Sequence, residues 1–255
     1  MSKEKLQIKR RSMFGEVMVR FLRKPIAVFG AVIMIVVVAL CLLAPVIAPY
    51  DIDAQDITRK FTEPSQEFIC GTDNLGRDIF SRLLYGGRIS LMVGFVSASI
   101  AAILGVILGA IAAFYGKRTD NIIMRILDVF MALPQMLLAI AISAMIGTGI
   151  KGAIISVTVA TIPRYAQAVR GPILSIRNQE FVEAAFAIDA KDSRIVLRHI
   201  LPNVLSPIIV QVTMGVGNAI TMAASLSFIG LGVQPPYPEW GAMLSAARVY
   251  ILDHA

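Results

Sequence analysis

Twenty-six consecutive residues, 25–50, separate Lys24 from Asp51 without a single Asp, Glu, Lys or Arg. Two more charge-free runs follow, 28 residues at 89–116 and 22 residues at 129–150. Each exceeds the roughly 20 residues that carry a helix across about 30 Å of hydrocarbon. Lipid offers no partner to a backbone N–H or C=O, so a crossing segment must satisfy its own hydrogen bonds, and helix is forced. Composition agrees: 56% of the 255 residues are hydrophobic and 16% are charged, against about 45–50% and about 25% in soluble domains. The polar residues are too few to coat a globule of this size. That argues against a soluble enzyme, a disordered chain or a secreted disulfide scaffold. The two cysteines, Cys41 in an apolar run and Cys70 in a polar one, imply free thiols.

Two further spans are less plain. The run 152–163 is only 12 residues long before Arg164 and Arg170, and a central arginine costs about 2.5–3.5 kcal/mol on insertion scales. Near a helix end it can snorkel to the headgroups, which gives a span at 149–169 with both arginines toward its cytoplasmic end. The last charge-free run, 199–238, holds a span at about 204–232 and then the turn-rich string GLGVQPPYPEWG. The first run is too long for a signal sequence and has no cleavage site of the A-x-A kind, so it reads as a permanent anchor. With the N-terminus inside, the cytoplasmic pieces 1–24, 116–128 and 164–203 hold 17 of the 24 Lys and Arg, a net +9 against −2 outside. The positive-inside rule supports that orientation. The excess of basic residues then reports topology, and nucleic acid is not an expected partner.

The cytoplasmic stretch 171–203 carries the most information. Phe181, Ala184, Ala185 and Ile188 recur at i, i+3, i+4, i+7, one apolar helical face, with Glu180 and Glu183 off it. A break at Asp189-Ala-Lys-Asp follows, with Asp192 as the expected N-cap of a second short helix. Pro202 then punctuates the entry to the last span. Two short helices joined by a turn suit either a surface-lying amphipathic element or a docking element for another protein.

At this point the chain resembles a known family. Glu183-Ala184-Ala185, Asp189 at the place of a usual Gly, and Ile200-Leu201-Pro202 match the cytoplasmic loop signature of bacterial ABC importer permeases. Further segments agree: Pro163-x-Tyr165-Ala166-x-x-Val169-Arg170; Cys70-Gly71-Thr72-Asp73-x-x-Gly76-Arg77-Asp78-x-x-Ser81-Arg82; Gly87-Arg88-x-Ser90-Leu91; Gly230-Leu231-Gly232; and Pro235-Pro236-x-Pro238-Glu239-Trp240-Gly241. Together they resemble the second permease of the dipeptide/oligopeptide/nickel subfamily.

The resemblance implies an all-α, multi-spanning bundle of the EAA-loop (type I) kind in the bacterial inner membrane. It implies a homologous permease as partner, two cytoplasmic ATPase subunits and an extracytoplasmic binding protein that delivers a peptide or another small solute. It makes Glu183, Ala184, Ala185, Ile188, Asp189, Ile200 and Pro202 the ATPase-coupling loop. ATP and Mg are expected on the partners, since no G-x-x-x-x-G-K-[ST] motif occurs in this chain. The chain is therefore not expected to be an enzyme. Family members continue past the PPxPEWG segment into a sixth span. This chain shows five, and truncation is favoured over an atypical form.

Gln211, Met214, Asn218, Thr221 and Ser225, spaced 3, 4, 3, 4, form a polar stripe on the last span. It reads as a pathway wall or as interhelical hydrogen bonding. Gly94, Ala98, Ala101, Gly105, Gly109 and Ala113 form a small-residue face for close helix packing. Arg125 and Asp128 suggest a local ion pair, and Pro134 a kink. In the outer segment 51–89, Gly76, Arg77, Asp78 and Arg82 are candidates for an outer gate or a binding-protein dock, with Asp73 or Asn74 as helix cap. His199 and His254 are too few and too scattered for a metal site. The reading divides the chain into a cytoplasmic segment 1–24, a first transmembrane helix 25–50, the outer segment, and a permease core 90–255 containing the loop 171–203. An intramembrane enzyme would need a Ser/His pair or an H-E-x-x-H helix, and an ion-coupled carrier would need midplane acids. Neither set is found.

Overall fold

The computed structural model describes residues 21–251. Most of the basic N-terminal segment, and His254, lie outside the described residues. Helix α1, Pro25–Leu42, opens with proline at its first position, where the missing N–H costs no bond. It is exposed on nearly every side, as a lipid-facing helix is, and only Cys41 is buried. A short turn of helix, Ala44–Ile47, follows. The outer segment then runs without regular strands, with one β-bridge between Thr72 and Asp78 and further backbone bonds from Phe61 to Asp73 and from Thr72 to Thr62.

Helix α2, Ile79–Tyr115, is 37 residues long. Its cap is Asp78, whose carboxylate accepts from the Ser81 amide at 2.7 Å. That corrects the expectation of Asp73 or Asn74. Asp73 closes the preceding turn, accepting from the amides of Leu75 at 2.8 Å and Arg77 at 3.0 Å. Gly116, at φ +62°, ends α2 and starts α3, Lys117–Met131. Pro134 does more than kink the next segment. The chain breaks at 132–134 and restarts as α4, Gln135–Ile146, bent by 87° from α3. The expected span 129–150 therefore begins in the last turn of α3 and contains the break.

Helix α5, Ile150–Arg177, is 28 residues long with Pro163 and Pro172 inside it. Helix α6 covers Glu180–Ala187. From Asp192 the backbone winds through α, π and 3-10 turns to Val204 and into α7, Leu205–Phe228. This replaces the separate short helix expected from Ser193 to Ile200. Helix α8, Trp240–Ala247, and a 3-10 turn, Arg248–Tyr250, come last among the described residues.

By length and composition, 25–42, 79–115 and 192–228 are long and apolar enough to cross a membrane; α3 and α4 pass the same test only when taken together as one broken segment. Helix α5 is long enough, about 42 Å, but Lys151, Arg164, Arg170 and Arg177 keep its composition more polar than the others. It lies along α2, and the small-residue face explains how. A Cβ on Gly105 would sit 2.4 Å from the Tyr165 Cβ, and one on Gly109 2.4 Å from the Ala166 carbonyl oxygen. A Cβ on Gly94 would sit 2.2 Å from Ile220 of α7. Glycine is required at these close approaches because backbones meet there.

The core follows in three levels. Val93, Leu138, Val157, Ala223 and Leu226 join α2, α4, α5 and α7 in one cluster. Ala101, Ala102 and Tyr165 form the middle. Ala113, Phe114, Ile173, Val182, Ile195 and Ile200 close the loop end.

Candidate functional site: a mounted loop, a polar wall and an outer clasp

The loop begins with α6. Val182 and Ala185 are 0% and 6% exposed and pack on Phe114 and Ile173. Phe181, Ala184 and Ile188 point outward, Ile188 being 79% exposed. The expected stripe is thus split. The eight-residue helix turns Val182 and Ala185 inward because the small residues Ala110 and Ala113 leave room there, while Phe181, Ala184 and Ile188 stay out as a knob. Glu183 lies exposed beside it.

The helix ends in a Schellman arrangement. The Ala190 amide donates to the Ala185 carbonyl at 3.2 Å, and the Asp189 amide to the Phe186 carbonyl at 3.0 Å. Asp189 has φ +55°, the left-handed conformation that glycine adopts at this place and that Asp tolerates better than most residues. Asp192 is the first helical residue rather than the cap, which is Lys191. Ile200 is wholly buried and anchors the far side of the loop, while Pro202 is exposed at the start of a 3-10 turn.

A second anchor lies nearby. Arg170 grips Asp120 of α3 with two bonds, Nε to Oδ1 at 2.6 Å and an Nη to Oδ2 at 2.5 Å. The guanidinium holds the Asp120 carboxyl below the usual carboxylate range. Among the described residues Arg125 and Asp128 form no ion pair. Asp128 instead accepts from the Gln167 amide at 3.5 Å, because the helix face that carries it meets α5.

On α7, Met214, Asn218 and Thr221 are exposed, and Gln211 and Ser225 half-buried. The Thr221 and Ser225 hydroxyls donate to carbonyls one turn back, at 3.0 and 2.8 Å. The stripe therefore turns outward, away from the buried Ala219, Ala223 and Leu226.

The outer candidates are mostly internal. Arg77 pairs with Asp73 at 2.7 Å. Arg82, 5% exposed, donates to the Ile52 carbonyl at 2.7 Å and the Pro236 carbonyl at 3.4 Å. Asp78 is buried as the helix cap, and a Cβ on Gly76 would strike the Asp56 carbonyl oxygen at 1.8 Å. Of these four, Arg82 ties the outer segment to the 235–240 stretch, and the other three hold the turns of the outer segment and its entry into α2. Sequence reasoning did not assign a role to two motif residues that complete this clasp, Ser90 and Glu239. Glu239 accepts from the Ser90 hydroxyl at 2.9 Å and from the Ala242 amide at 3.0 Å, and it caps α8.

Residues 105–252, more than half of the chain, match the family described as binding-protein-dependent transport system inner membrane component. The chain belongs to this family of ABC importer permeases. Residues 12–64 of the permease also match the N-terminal TM domain of oligopeptide transport permease C. It is 43% identical over 229 residues to the dipeptide transport system permease protein DppC of Alkalihalophilus pseudofirmus, covering 90% of this chain and 75% of that one. It is 46% identical over 230 residues to the glutathione transport system permease protein GsiD of Escherichia coli O157:H7, covering 90% and 76%.

Among solved structures, the MetNI methionine ABC transporter in an inward facing conformation matches with a TM-score of 0.57. That match is 21% identical and covers 68% of this permease and 83% of the solved chain. At that identity the likeness is one of fold.

Proposed function

We propose that the permease forms, with a homologous permease subunit, the membrane path of an ATP-driven importer of short peptides. The observation that carries the coupling part is the knob of Phe181, Ala184 and Ile188 beside Glu183, exposed on one side and bolted to α2 and α5 on the other. A loop built this way passes a push from a partner straight into the membrane helices. Two cytoplasmic ATPase subunits take the loops of the two permeases and bind ATP and Mg. An extracytoplasmic binding protein delivers the solute, and the N-terminus faces the cytoplasm. This chain itself hydrolyses nothing.

The α7 stripe of Gln211, Met214, Asn218, Thr221 and Ser225 is the wall past which the solute moves. Amide and hydroxyl groups suit a peptide backbone, which needs hydrogen-bond partners once it leaves water. The peptide assignment is supported by the names of the relatives, which transport dipeptides and glutathione.

The test is purification from native membranes of the permease and of its Glu183→Lys variant, with mass spectrometry of what accompanies them. Recovery of a P-loop ATPase and a second permease with the parent, and loss of the ATPase with the variant, is the expected result. An ATPase that stays bound to the variant would remove Glu183 and its knob from the coupling surface. Uptake of a labelled dipeptide in the same strains tests the solute class. ATP-dependent uptake of a different solute, with the dipeptide ignored, overturns the peptide assignment alone.

A further inference from the structure

Three contacts fix the rotation of α3. Leu127 is buried, Asp120 is gripped by Arg170, and Asp128 accepts from Gln167. At 100° per residue, the side turned away from the protein carries Ile122, Ile126 and Val129, which are 62%, 55% and 70% exposed. Arg118 and Arg125, also exposed, stand at i, i+7 along one edge of this patch. Neither makes an ion pair among the described residues.

The helix therefore presents, in order around its axis, an apolar sector, a basic edge, a polar sector and the face packed on the protein. The 87° bend at 132–134 sets α3 across the direction of α4. Where α4 runs along the membrane normal, α3 lies in the membrane plane. An apolar sector bordered by arginines is what a helix at the boundary of water and lipid requires.

We propose that α3 is an interfacial helix that seats Ile122 and Ile126 among acyl chains and holds the phosphate groups of anionic phospholipids on Arg118 and Arg125. The charges decide between lipid and a second protein. A protein interface closing over this patch would desolvate two cations that have no acidic partner among the described residues, which is costly. An anionic headgroup layer supplies the missing charge and leaves the arginines hydrated.

The test uses the complete transporter in nanodiscs of equal parts phosphatidylglycerol and phosphatidylcholine. Native mass spectrometry then reads the retained lipid. The parent protein retains phosphatidylglycerol preferentially, and Arg118→Gln with Arg125→Gln lowers that preference by about fivefold for each arginine. Unchanged preference overturns the proposal.

A second measurement places a bimane on Ile126→Cys in a Cys41→Ala, Cys70→Ser background. Quenching by lipids brominated in their acyl chains is expected. An unquenched probe that crosslinks to the second permease would assign the face to a subunit interface instead. Neither readout depends on the solute, so the peptide assignment stands or falls separately.

Discussion

The Ser90 hydroxyl donates to Oε1 of Glu239 at 2.9 Å across 149 positions of the chain, and both side chains are 1% exposed. The Trp240 amide in turn donates to the Ser90 oxygen at 3.2 Å, and the Trp240 indole to the Leu83 carbonyl at 3.0 Å. Glu239 thus fastens the stretch after α7 to the outer part of α2 while capping α8.

Glu239→Ala removes the cap, the acceptor of the part-buried Ala242 amide, and leaves the buried Ser90 hydroxyl without an acceptor. Loss of a cap costs about 1 kcal/mol, and the stranded buried hydroxyl about 1–3 kcal/mol. The expected loss is about 2–4 kcal/mol, read as a lower melting temperature of the detergent-solubilised permease. Ser90→Ala, which leaves the cap intact, should cost about half as much.

Asp189 occupies the left-handed place that closes α6. Asp189→Gly should therefore stabilise the loop by about 0.5–1 kcal/mol with transport unchanged, because glycine enters that conformation without a Cβ clash. Asp189→Val should lower the melting temperature. Transport lost in the glycine variant, with the fold intact, would assign the Asp189 carboxylate a role beyond the turn.

How far these features were legible in the sequence depends on their range. Charge-free runs located α1, most of α2 and α7 because the cost of charge in lipid acts on each residue separately, whereas the run 129–150 crossed the break between α3 and α4. Asp189 was legible as standing at a glycine place of a local motif, and its positive φ agrees with that place. The inward turn of Val182 was not legible, because it depends on the room left by Ala110 and Ala113, some 70 residues earlier. The cap of α2 was missed because Asp73 and Asp78 are both plausible caps, and the chain uses Asp73 to close an Asx turn. The Ser90–Glu239 bond has no local signature, although both residues stood inside recognised motifs.

The Asp120–Arg170 pair predicts a pH dependence. The carboxyl is held below its ordinary value, so its contribution is complete above the unfolded pKa of about 3.9. It is lost as pH falls through the lower folded value. Asp120→Asn should melt earlier than the parent at neutral pH, by on the order of 1 kcal/mol for a partly exposed pair. The two melting curves should converge as the buffer is taken below about pH 4. A constant gap across that range would show that the carboxylate charge is not what holds α3 to α5.

For the α7 wall, Asn218→Cys and Ile209→Cys in a background lacking Cys41 and Cys70 offer a direct comparison. Both positions are exposed, Ile209 to 59%, but they lie on different sides of the helix. A charged, membrane-impermeant thiol reagent should modify Asn218→Cys in the assembled transporter at least about tenfold faster, since thiolate forms readily only in water. Equal rates would make the stripe a lipid-facing or packed surface rather than a path.

The glycines of α2 carry a mechanical consequence. Gly94, Gly105 and Gly109 bring α2 so close to α7 and α5 that the helices cannot slide without a backbone collision. At 37 residues α2 is about 55 Å long, with the α6 knob clamped to one end and the Glu239 clasp to the other. It is a lever with fixed attachments. A tilt of about five degrees imposed at the loop moves the opposite end by about 5 Å over that length, enough to part a layer of side chains.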